Sequence, residues 1–165
     1  MALSARDRLE ADGMAELISR ETVAVEVDYY GLAVEDWDDT HVPVPFSEDW
    51  EQGPFLTAHP GRLSFTSAGH THTAMMTIEV WAEEPAEPAG DWEESAVTEI
   101  SCTSGQLQAR GLTAGPWPEP VRISDKPGTW NVHVLCRGRA EVAVQSQDRA
   151  VDGVEQYVLQ LWPQA

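Results

Sequence analysis

A chain of 165 residues, 42% apolar and 23% charged, has the material for one packed core without disulfides or metals as staples. Its formal net charge is −18, which disfavours nucleic-acid backbones and anionic membranes and favours a cation or a basic partner. No apolar run is long enough for a membrane-spanning helix and the first residues mix both charge signs, so neither a transmembrane span nor a secretory signal is expected and the protein reads as cytoplasmic.

Residues 4–19 offer a short helix or a disordered arm. Ser4 and Asp7 resemble a capping box, Leu9, Met14, Leu17 and Ile18 give a partial apolar face, and Gly13 weakens it. This sets an N-terminal arm, residues 1–20, apart from a β domain over residues 21–165. Residues 21–30 alternate, with Val23, Val25 and Val27 on one side. A run over residues 30–34 continues them or follows a bend at Gly31. Residues 35–54 lose all period. They contain Glu35, Asp36, Trp37, Asp38 and Asp39, then Glu48, Asp49, Trp50 and Glu51, with three prolines. A loop of this length is expected to be functional or disordered, and its two tryptophans argue against plain disorder.

Residues 61–66 form a short strand with Leu63 and Phe65 on one face. Residues 71–81 form a longer one, with Ala74, Met76, Ile78 and Val80 inward. Residues 83–94 make a second acidic loop, holding Glu83, Glu84 and Trp92. Residues 97–102 and 106–110 read as strands joined by a turn, residues 111–120 as a loop with Trp117, and residues 121–124 as a short strand. The clearest strand covers residues 128–137: Trp130, Val132, Val134 and Cys136 share one face, and Asn131, His133, Leu135 and Arg137 the other. Residues 140–144 alternate briefly, and residues 155–162 form the last strand. Eight to nine short strands with almost no helical period predict an all-β, antiparallel β-sandwich, with a barrel as the alternative.

The order of these features resembles the competence protein J family, small bacterial β-sandwich proteins. The features are Asp49-Trp50-Glu51, the strand at 61–65, the long apolar strand at 73–81 and the acidic connection after it. They continue with residues 97–102, Pro127-Gly128-Thr129-Trp130 and the closing run from Tyr157 to Pro163. The founding type inhibits a nuclease of DNA uptake, so the resemblance implies a sandwich fold and an inhibitor's role. The family supplies no catalytic or binding motif here. The chain departs from the pattern by its N-terminal extension and by the loop around Pro116-Trp117-Pro118.

Chemistry-bearing patterns are sparse. His70 and His72 would share a strand face as a metal pair, but no third ligand lies near, and solvated histidines are the expected reading. His133 reads as a packed histidine, and His41 and His59 as loop residues. Glu35, Asp36, Asp38 and Asp39 are dense enough to attract a hard cation but lack calcium-loop spacing. No nucleophile elbow, phosphate loop, dinucleotide fingerprint or zinc-hydrolase motif occurs, so neither an enzyme nor a cofactor is expected. Cys102 and Cys136 read as reduced core thiols, with a disulfide as the lesser alternative.

Charge is the informative signal. Residues 1–100 hold 22 acids and 4 bases, whereas residues 101–165 hold 6 of each. The acidic loops therefore suggest a surface that imitates a phosphate backbone. Asp36, Asp38, Asp39, Glu48, Asp49, Glu51, Glu83 and Glu84 would supply the charge, with Trp37, Trp50 and Trp92 as anchors. The function expected is a non-enzymatic inhibitor or immunity-type partner of a basic protein such as a nuclease. The alternatives are a small-ligand or carbohydrate-binding sandwich that uses loop tryptophans, and a structural homodimer. Reversing Asp36, Asp38 and Asp39 to lysine is expected to slow association and spare stability.

Overall fold

The computed structural model describes residues 15–38, 40, 42, 54–113 and 119–164. Within them lie ten strands and one helix: β1 (Leu17–Val27), β2 (Gly31–Asp36), β3 (Leu56–His59), β4 (Arg62–Thr66), β5 (His72–Trp81), β6 (Glu94–Cys102), β7 (Gln106–Gly111), β8 (Val121–Arg122), β9 (Gly128–Arg137), α1 (Arg139–Gln145) and β10 (Asp152–Pro163). They build two five-stranded sheets, ordered β1-β5-β10-β9-β6 and β3-β4-β2-β7-β8.

Alternation builds the core as expected. Val23, Val25 and Val27 of β1, Met76 and Ile78 of β5, Val132 and Val134 of β9 and Leu159 and Leu161 of β10 pack with Val34, Leu63, Phe65, Leu107 and Ala109 of the second sheet. The two sheets thus share one apolar interior, and the Phe65 and Tyr157 rings meet across it at 5.5 Å between centroids. Burying each of these valine, leucine, isoleucine, methionine and phenylalanine side chains contributes about 1.5–3 kcal/mol. Cys102 and Cys136 are buried and unpaired.

The far side of the first sheet is also partly covered. Leu135 faces away from the shared core yet is fully buried. The chain between β5 and β6 crosses that face. Gln160 donates to the Ala86 carbonyl at 3.3 Å, and the Glu93 amide bonds the Cys136 carbonyl at 2.8 Å.

Four expectations need correction. The sheets are not purely antiparallel, because β10 lies parallel to β5 and antiparallel to β9. Residues 17–20, read as part of the arm, belong to β1, which pairs with β5; residues 1–14 lie outside the described residues. Residues 140–144 are helical, not extended. Their alternation was accidental: Val142 is buried while Val144 stays 67% exposed. Leu56–His59, unassigned in the sequence, forms β3 against β4.

Candidate protein-interaction site

β2 ends on Asp36, where the chain leaves the second sheet. Asp36 is only 3% exposed. Its carboxylate accepts hydrogen bonds from the Thr103 amide and hydroxyl, both at 2.7 Å, from the Ser104 hydroxyl, and from the Asp38 amide at 3.1 Å. Burial alone would push its pKa up; the hydrogen bonds from Ser104, Thr103 and Asp38 outweigh burial and hold it below the usual range. Asp36 therefore ties the turn after β6 to the end of β2. It is a structural carboxylate and is not offered to a partner, which also overturns the expectation that reversing it spares stability.

The same staple positions its neighbours. The Trp37 amide donates to the Gln106 carbonyl at 2.9 Å, and the indole stays 45% exposed. Asp38 is exposed. It accepts from the Thr40 hydroxyl at 2.6 Å and the Thr40 amide at 3.2 Å, contacts that lower its pKa. Glu35 points the other way along β2, where it is buried and bound by Gln108 at 2.8 Å and Arg110 at 3.0 Å. The suggested cation cluster is thus divided, with Glu35 and Asp36 each saturated by the protein.

Register decides which candidates share an end of the molecule. The end of β5, the start of β9 and the end of β6 lie together, at the end that carries Trp37 and Asp38. Glu83 and Glu84 are exposed just past β5, at that same end. Trp92 is not. It sits by Arg137, the last residue of β9, at the opposite end, with the guanidinium 5.1 Å over its ring. Its indole N–H donates to the Pro88 carbonyl at 2.7 Å, so its own loop holds it half-buried. Asp39, Glu48, Asp49, Trp50, Glu51 and Trp117 lie outside the described residues.

A buried polar cluster at the Trp92 end was not foreseen. Glu155 is fully buried and accepts from the Ser67 hydroxyl and the Tyr157 hydroxyl, both at 2.7 Å, and from the Ala68 amide at 2.9 Å. Arg139 lies 3.6 Å from it. His72 Nε2 is 2.8 Å from Ser67 Oγ. Since Ser67 gives its proton to Glu155, His72 must donate from Nε2, which leaves a bare Nδ1 with no hydrogen-bond partner. A Ser/His/Glu set invites comparison with a hydrolase triad, but the proton logic runs the wrong way. His72 donates to the serine rather than accepting from it, and the set is sealed from solvent. One signal pointed here: the inward series Tyr157, Leu159 and Leu161, extended two residues back, reaches Glu155. His70 and His72 do not pair. His70 is exposed against Tyr29 and Tyr30, with ring centroids 5.2 and 5.1 Å away. Among the described residues no group of three or more His, Cys, Asp or Glu is placed to hold a metal.

No protein-family model matches the sequence, and no curated protein matches it. Solved structures do resemble it. ComJ from Bacillus subtilis, described as an inhibitor of the DNA degrading activity of NucA, aligns over 92% of this chain and 99% of its own, with a TM-score of 0.59 and 13% identity. The protein described as crocagin biosynthetic gene J aligns over 90% of this chain and 100% of its own, with a TM-score of 0.57 and 12% identity. At such identities the likeness is one of fold.

Proposed function

We propose that this chain is a non-catalytic, inhibitor-type β-sandwich that occupies a cationic surface of a partner protein, and that the partner is a nuclease. The observation that carries the reading is the rim at the end of β2. There a buried, hydrogen-bonded Asp36 holds an exposed indole, Trp37, beside an exposed carboxylate, Asp38. A rigidly presented aromatic next to negative charge is the usual chemistry of an interface anchor. Glu83 and Glu84 extend the charge at the same end, and the excess of acids over bases in residues 1–100 supplies a long-range field for a basic partner. A nuclease must bind phosphates with lysine and arginine, and carboxylates compete for that surface. The fold likeness to a nuclease inhibitor supports the same class.

The test is affinity capture from a native lysate at low salt, elution with a salt gradient, and a DNA-degradation assay on the eluted protein. The expected result is a DNA-degrading protein that this chain inhibits and that elutes earlier from Asp38→Lys/Glu83→Lys/Glu84→Lys. Capture indifferent to salt, or an eluate without inhibited nuclease activity, overturns the reading. The carbohydrate alternative gains no support from the described loop tryptophans, because Trp37 and Trp92 stand at opposite ends and form no shared platform.

A further inference from the structure

Edge strands offer unpaired backbone donors and acceptors, and natural proteins blunt them by brevity, bulges, proline or lysine. Here the edges are β1 and β6 in the first sheet and β3 and β8 in the second. β3 and β8 are only four and two residues long. β1 has a register shift between Leu17 and Ser19, and its Arg20 is engaged by Glu79. β6 has none of these devices. It pairs with β9 over all nine residues, Glu94–Cys102, without a register shift. It contains no proline and no basic residue. On its other side no described strand pairs with it. Val97, at its middle, is 68% exposed, and Glu99 on the same face is exposed too, its carboxylate accepting from the Gln164 side-chain amide and keeping room for a further donor. The strand then runs into Thr103, whose amide is held by Asp36, so this edge ends at the Trp37–Asp38 rim.

The geometry points to β6 as a docking edge that takes an extended strand of the partner protein. The strand would carry an apolar side chain beside Val97 and a lysine or arginine two residues along, beside Glu99. This rests on the partner-binding reading above and adds the backbone route by which the partner is held. Charge selects the occupant. A second copy would bring Glu94 and Glu99 of one −18 chain against the same acids of another, whereas a basic-flanked strand meets complementary charge.

The experiment uses the full chain at low salt with the peptide acetyl-Thr-Val-Thr-Lys-Thr-Val-Thr-amide in excess, and reads amide hydrogen exchange residue by residue. Slowed exchange within Glu94–Cys102 is expected, together with its loss when the central lysine is replaced by proline and when the protein carries Val97→Lys. No protection of β6, equal protection by the proline peptide, or protection confined to β1 overturns the inference. Peptide-free protection of β6 that rises with protein concentration alongside a doubled mass assigns the edge to a second copy and also overturns it. If β6 fails while salt-eluted capture of an inhibited nuclease persists, strand addition falls and the proposed function stands; the opposite pattern sinks the proposed function alone.

Discussion

Asp36 shows why a residue's role cannot be read from its charge. In the sequence it is one of nine acids between Glu26 and Glu51 with no base among them. In the fold it is buried because donors from residues 103 and 104, far along the chain, converge on it, and such pairing leaves no periodic trace. Asp36→Ala strands those donors and is expected to cost about 2–3 kcal/mol in urea unfolding. Asp38→Lys, two residues on and exposed, should leave the urea midpoint nearly unchanged. The pH sign follows from the lowered pKa. The contribution of Asp36 is present above the unfolded value of 3.8 and is lost as pH falls through the lower folded value. An Asp36→Asn variant should therefore lose less stability than the wild type on acidification below pH 3.8. His72 acts over a milder range. Burial lowers its pKa from the ordinary 6.5, so the unfolded chain binds a proton that the folded ring refuses. Stability then drops as pH falls below 6.5, until the buried ring itself protonates. His72→Gln, which keeps a donor for Ser67, should flatten the pH dependence of the melting temperature in that window. His59, also lowered by burial, leaves a residual slope of the same sign.

Among the elements, the long strands were the most legible. β9 matches its expected bounds and β5 differs by one residue, because both alternate cleanly with one face in the shared core. Short elements were not. α1 is seven residues long and depends on a distant residue: Glu93 caps it by accepting from the Arg139 and Ala140 amides at 2.8 and 2.9 Å. It begins after Gly138, whose φ is 80° and where a side chain's Cβ would fall 1.9 Å from the Val154 carbonyl oxygen. Gly138→Ala should therefore cost more than the ~1–2 kcal/mol of a left-handed backbone alone, as read from chemical denaturation. The turn between β1 and β2 has the opposite character. Tyr29 and Tyr30 both take positive φ, 51° and 62°, at the tip of a turn closed by the Asp28–Gly31 bridge, where Asn-Gly would sit without strain. Tyr29 is 53% exposed, and its edge-on contact with the exposed His70 at 5.2 Å offsets only part of the strain that its replacement relieves. Tyr29→Asn should stabilise the protein by about 1 kcal/mol, seen as a raised denaturation midpoint.

Across the whole molecule, composition foretold the field but not its arrangement. The excess of acids in residues 1–100 is plain in the sequence; that the loops divide between two ends is not, because the order of strands in each sheet sets it. The interleaving of the two sheets also hid the parallel pair, since β5 and β10 are separated by four intervening strands in the chain. With a net charge of −18, self-repulsion opposes compaction. Adding sodium chloride from low to physiological strength should raise the melting temperature, while the same addition weakens capture of a basic partner.

The position of β10 has a consequence for biogenesis. It fills the middle of its sheet, between β5 and β9, yet follows both in the chain. A ribosome releases the β1–β5 pair and the β6–β9 pair as two open-flanked halves that have no direct ladder between them. Closure waits for β10, so a nascent chain carries two sticky borders until that strand has emerged, and chaperones have most to guard in that interval.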